Sequence, residues 1–157
     1  KAPAQCFTAH DDPPLATGQI STMPFRSPLA DMIYPPAGAE RPMGKLTTHI
    51  LDTSRGKPGS GIGVKLFSME NGRHLVASAV TNADGRTDDA LLEGDTFLAG
   101  TYELEFSVGP YFREAGADTV EPPFLDDVVI RVTLAAGDSY HVPLLVSPWS
   151  YSTYRGS

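Results

Sequence analysis

Between residues 46 and 52 the apolar positions alternate. Leu46, Thr48 and Ile50 fall on one face, with Thr47, His49 and Leu51 on the other. A period of two sends successive side chains to opposite sides of a strand, so this stretch predicts a strand whose second face displays His49. A loop punctuated by glycine and proline spans Ser54 to Gly61. Ile62, Val64 and Leu66 then alternate with Gly63, Lys65 and Phe67 in a second strand. Asn71-Gly72 supplies the two positive φ values of a primed turn and predicts a hairpin into a strand from His74 to Thr81. Asn82-Ala-Asp-Gly-Arg86 is a second turn, which delivers Arg86 to the start of the next short segment.

The clearest alternation runs from Thr101 to Val108, with Tyr102, Leu104, Phe106 and Val108 inward and Glu103, Glu105 and Ser107 outward. That is the pattern of a half-buried sheet. Pro110 near a helix start and Gly116 at a cap position predict one or two helical turns, the only helix expected. Phe124 to Leu134 and Ser139 to Ser147 are expected to form antiparallel strands joined at Ala136-Gly-Asp138, and a turn and a last strand follow. Seven or eight short strands with turns about every ten residues predict an all-β sandwich of two antiparallel sheets with one short helix. Its edge strands are natural sites of subunit pairing, so an oligomer is expected.

Residues 1–44 break the pattern. They hold eight of the fourteen prolines and follow neither the helical nor the strand period. Proline lacks a backbone donor and fixes φ, so an extended arm is expected here, with the folded domain over 45–157. Met23, Phe25, Leu29, Met32, Ile33 and Tyr34 give the arm apolar groups to dock on its own domain or on a neighbouring subunit. Cys6 and His10 read as a free thiol and a solvated histidine of that arm.

Composition narrows the partners. A 157-residue chain with 41% hydrophobic residues is long enough for one buried core. A formal net charge of −7 without a Lys/Arg cluster argues against a nucleic-acid partner. No run approaches the roughly 18 apolar residues of a membrane span. A single cysteine leaves no internal disulfide. With no visible signal region and no Ser-Lys-Leu terminus, a bacterial cytoplasm is the expected location and a periplasm the alternative.

Candidate chemistry is sparse. No metal-ligand spacing, phosphate loop or nucleophile elbow occurs, so no metal or cofactor is expected. His141 falls on the outer face of its strand with Pro143 and Leu145, and His49 falls on a face with Leu51. Apolar outer faces suggest cover by another subunit, and each histidine taken singly reads first as a structural or interface residue. His74, beside Arg73, reads as exposed. The tail from Ser150 to Ser157 packs two tyrosines, an arginine and four hydroxyl residues of the serine and threonine type into eight positions, a composition suited to hydrogen bonding a polar ring.

Several stretches together resemble the transthyretin-like 5-hydroxyisourate hydrolases. They are Leu46-Thr-Thr-His-Ile-Leu-Asp52, Gly56-Lys-Pro-Gly59, Asn82-Ala-Asp-Gly-Arg86, Gly109-Pro-Tyr-Phe112, Tyr140-His-Val-Pro-Leu-Leu-Val-Ser147 and Tyr154-Arg-Gly-Ser157. The resemblance covers about 45–157, and its terminal tetrapeptide separates these hydrolases from the carrier transthyretin of the same fold. It implies a transthyretin-like sandwich that assembles as a homotetramer, a dimer of dimers with active sites in the channels between dimers. It further implies hydrolysis of 5-hydroxyisourate in urate degradation, giving 2-oxo-4-hydroxy-4-carboxy-5-ureidoimidazoline. By the same resemblance His49, Arg86, His141 and Ser157 are the expected catalytic residues, and Tyr154, Arg155 and Gly156 the expected substrate-binding ones. The arm is the departure from the family pattern. The rival expectation is a non-catalytic carrier binding an aromatic small molecule in the same channel; an immunoglobulin-like adhesion module would not cluster histidines.

Overall fold

A computed structural model describes residues 44–117 and 120–156. The expected arm up to residue 43, with Cys6 and His10, and the terminal Ser157 lie outside the described residues.

Among the described residues nine strands form two sheets. The first contains β1 (Lys45–Asp52), β2 (Lys57–Pro58), β5 (Leu92–Glu93), β8 (Tyr140–Ser147) and β9 (Ser150–Thr153). Its order is β2-β1-β8-β9, with β5 also paired to β1. The second runs β4-β3-β6-β7, from β3 (Gly63–Ser68), β4 (His74–Val80), β6 (Gly100–Ser107) and β7 (Asp127–Leu134). Alternation sets the core: Ile50 and Leu144 from the first sheet and Leu66, Leu104 and Phe106 from the second are wholly buried. Asn71 (φ 56°) and Gly72 (φ 121°) make the expected turn between β3 and β4.

Three local expectations are revised. The sheets are not uniformly antiparallel, because β1 and β8 run parallel, with Leu46 beside Tyr140 and Asp52 beside Val146. Nor does β7 pair with β8: it pairs with β6 from Gly100↔Leu134 to Ser107↔Asp127, so the connection through Ala136-Gly-Asp138 passes from one sheet to the other. Alternation specifies which face a residue occupies, not which strand lies beside it. The helix α1 (Val108–Glu114) begins two residues before Pro110, and a 3-10 turn at Gly94–Thr96 is a second helical piece. Val108 and Phe112 anchor α1 in the core, and Gly116 leaves it with a positive φ of 65°.

Asp52 ends β1 on its inward face, wholly buried. Burial pushes its carboxyl up, but hydrogen bonds from Ser54, Arg55 and Tyr111 outweigh that and hold it below the usual carboxylate range. The Arg55 Nε bond is 2.6 Å and that from the Tyr111 hydroxyl 3.1 Å. These bonds tie the loop after β1 to α1 and fix the end of the strand that carries His49.

Candidate active site

The β1/β8 pairing creates the site. Leu46, Thr48 and Ile50 face the core from β1, and Val142, Leu144 and Val146 face it from β8. The residues between them, Thr47, His49 and His141, therefore share the outer face. Parallel register sets Thr47 beside His141 and His49 beside Pro143, and the Thr47 hydroxyl lies 2.9 Å from His141 Nδ1.

Arg86 reaches this face from the turn after β4. The Asn82 side-chain oxygen accepts from the backbone N–H groups of Asp84 (3.0 Å) and Arg86 (3.2 Å), and the Asn82 N–H donates to the Arg86 carbonyl (2.8 Å). The closed turn docks on β1: Ile50 N–H donates to the Gly85 carbonyl at 2.8 Å, and His49 and Arg86 pair as an antiparallel bridge. Gly85 has φ +73°, and a Cβ there would collide with the Ile50 carbonyl oxygen, so glycine is required for this approach.

The tail returns along β8. Gly156 N–H donates to the His141 carbonyl at 2.8 Å, and the two residues pair as a bridge. A Cβ on Gly156 would stand 2.8 Å from His141 Cδ2, so this backbone lies directly against the imidazole.

Electrostatics distinguish the two rings from solvated histidines. The His49 pKa is lowered from its ordinary 6.5, by burial first and then by the Arg86 charge, while the Asp84 backbone and carboxylate pull weakly the other way. The His141 pKa is also lowered, by burial, by Arg86 and by His49. Both shifts favour the neutral imidazole at pH 7. Among the described residues the exposed Arg86 guanidinium has no carboxylate partner, and no group of side chains is suited to hold a metal ion.

His49, Arg86, His141 and Gly156 are thus brought together. Arg155 goes elsewhere: its guanidinium lies 3.3 Å from an Asp138 carboxylate oxygen and 4.5 Å from the centre of the Tyr140 ring. Tyr140 and His141 are successive strand residues on opposite faces, so Arg155 turns away from the two imidazoles. Tyr154, 60% exposed, lines with Arg155 a surface cavity of about 330 Å³ beside Ile130, Val132, Tyr140 and Val142. Ser157 is outside the described residues. Sequence reasoning missed Thr47. Its place on the His49 face was visible, but its contact with His141, 94 residues away, depends on the parallel register.

Chemically, the face offers two imidazoles and a cation, the groups that hydrolysis of an amide requires.

Comparison with known proteins points the same way. A profile of the HIUase/Transthyretin family matches residues 46–156. A 5-hydroxyisourate hydrolase of Pseudomonas aeruginosa is 51% identical over 123 residues, 77% of this chain and 98% of that protein. The crystal structure of (S)-allantoin synthase superposes with a TM-score of 0.71 at 43% identity over 74% of this chain, which spans only 45% of that one. The structure of Klebsiella pneumoniae 5-hydroxyisourate hydrolase gives a TM-score of 0.62 at 36% identity, covering 73% of this chain and all of that one.

Proposed function

The chain belongs to the HIUase/transthyretin family, and from the site it carries we infer that it is a hydrolase acting on 5-hydroxyisourate. The arrangement that supports this reading is two imidazoles, each with its pKa lowered by burial and by Arg86, set on one sheet face beside a guanidinium that pairs with no carboxylate among the described residues. A carrier for an aromatic ligand needs no proton acceptor and no cation aimed at a carbonyl.

The reaction consumes one water and breaks the N1–C6 amide bond of the six-membered ring. His49, neutral at working pH, takes a proton as the water oxygen adds to C6. Arg86 stabilises the negative charge that develops on the C6 oxygen. When the C6–N1 bond breaks, N1 leaves with the proton that His49 took from water, and the carboxylic acid formed at C6 releases its own proton to solvent to become a carboxylate. The product is 2-oxo-4-hydroxy-4-carboxy-5-ureidoimidazoline. His141 supplies a hydrogen bond that orients the ring or relays the proton, and Gly156 packs against it. We assign Ser157 to completing the pocket, and Tyr154 and Arg155 to positioning substrate. Because Arg155 turns from the imidazoles of its own subunit, its contribution fits a site assembled from more than one chain.

The assembly we propose is a homotetramer, a dimer of dimers whose channel runs over this face. Leu145, an apolar residue left half-exposed on the outer face of the strand that carries His141, supports it.

Urate oxidase acting on urate generates 5-hydroxyisourate in a cuvette. Substoichiometric amounts of this protein are expected to accelerate its decay many-fold. A carrier would at most perturb the decay in proportion to the sites added, and that outcome would replace the hydrolase reading with the carrier.

A further inference from the structure

Thr47 and Thr48 are adjacent in sequence, lie on opposite faces of β1, and use their hydroxyls differently. Thr48, facing the core, donates to the Val142 carbonyl of β8 at 2.7 Å. That is the ordinary behaviour of a threonine beside a neighbouring backbone. Thr47 has a β8 carbonyl, that of Tyr140, only at 3.5 Å, the limit of a hydrogen bond, whereas His141 Nδ1 is at 2.9 Å. A hydroxyl carries one proton, and the ring nitrogen is the better placed acceptor for it.

We propose that Thr47 is a positioning residue which donates to His141 Nδ1 and so fixes the imidazole with its proton on Nε2, making it a hydrogen-bond donor to the bound ring. This deepens the hydrolase reading and rests on it for its kinetic part. The ring is held on two sides. Nδ1 is engaged by Thr47, while Cδ2, the atom next to Nε2, lies against Gly156. Nε2 is therefore the nitrogen left for a ligand. Among the described residues the charged or titratable groups facing this ring are His49 on β1 and Arg86 from the 82–86 turn, and both favour a neutral imidazole, for which the tautomer matters.

The assignment gives the two histidines different tasks. A neutral imidazole with its proton on Nε2 cannot accept a proton at that atom, so His141 acts as donor to the substrate and the acceptor role falls to His49. In the Nδ1–H tautomer His141 would present a lone pair instead, and both rings would compete to accept.

The test uses the full chain with 15N-labelled histidine, read by NMR at neutral pH, alongside steady-state decay of 5-hydroxyisourate. The expected wild-type signature is a protonated Nε2 and an unprotonated, hydrogen-bonded Nδ1 at His141. Thr47→Val keeps the β-branched shape and removes the hydroxyl. It is expected to give a mixture of tautomers and to lower kcat by about tenfold or more with little change in KM. Thr47→Ser, which retains the hydroxyl, is expected to restore both. A wild-type His141 protonated on Nδ1 would overturn the proposal whatever the variants do. So would a folded Thr47→Val with unchanged tautomer and kcat. If the wild type showed no turnover, the hydrolase reading would fall, while the NMR result would still decide the role of Thr47 on the tautomer.

Discussion

The two sheets turn outward faces of contrasting chemistry to the surroundings. On the β3/β6/β7 face every prominent charge is answered. Glu103 accepts from Arg131 (2.7 Å) and Arg73 (3.0 Å), and Glu105 pairs with Lys65 (3.1 Å) and again with Arg73. Arg73 also lies over the Phe67 ring. On the β1/β8 face two imidazoles and one guanidinium stand with no carboxylate between them, among the described residues, to neutralise the cation. A satisfied network holds its charges in place and has little left to offer a ligand. An arginine that pairs with no carboxylate among the described residues, beside two histidines whose pKa values are lowered, is poised to act on one.

That contrast can be broken first at the site. His49→Asn and Arg86→Ala should each lower kcat/KM by at least roughly a hundredfold while leaving thermal unfolding almost unchanged, because neither side chain holds the core together. Gly85→Ala attacks the docking of the turn rather than the chemistry. Its positive φ and the collision with the Ile50 carbonyl should cost about 1–3 kcal/mol in denaturant unfolding and reduce activity by displacing Arg86.

The pH profile follows in size. Since the His49 pKa is lowered, the base is neutral at pH 7, and kcat/KM should fall about tenfold per unit only below a midpoint under 6.5. Because the Arg86 charge contributes to that lowering, the residual activity of Arg86→Ala should lose its base at a higher pH than wild type. A midpoint that stayed fixed would remove Arg86 from the electrostatics of the ring.

The opposite face should respond in stability alone. Hydrogen bonds from Arg131 and then Arg73 hold the Glu103 carboxyl below its ordinary 4.5, so its stabilising contribution is complete above that pH and is lost as pH falls through the lowered value. Glu103→Gln should therefore unfold more easily at neutral pH, differ less from wild type in acid, and turn over substrate normally. Lys65→Met, at an exposed pair, should change stability by no more than about 1 kcal/mol.

The same two faces show how much of the molecule was legible in the chain. Alternation assigned the inner residues of β1, β6 and β8 to the core, and placed His49 and His141 outside it. Asn71-Gly72 marked its hairpin by the φ values it needs. Strand partners were not legible. The parallel β1/β8 register joins segments more than ninety residues apart, and no local pattern records it, so the Thr47 contact was invisible although Thr47 sat on the right face. Glu103 was placed correctly as outward, yet it is only 8% exposed because Arg73 and Arg131 close over it. Burial by long side chains from neighbouring strands leaves no trace in a period of two. Arg155 belonged to the resembling terminal motif, and the motif did not reveal that its guanidinium lies over the Tyr140 ring.

The most direct test compares one substitution from each face in the same cuvette, with 5-hydroxyisourate generated from urate by urate oxidase. Wild type and Glu103→Gln should accelerate its decay equally, while Arg86→Ala should leave it close to the uncatalysed rate. Equal acceleration by all three would contradict the claim that the Arg86 cation beside the two histidines is what makes this face the catalytic one.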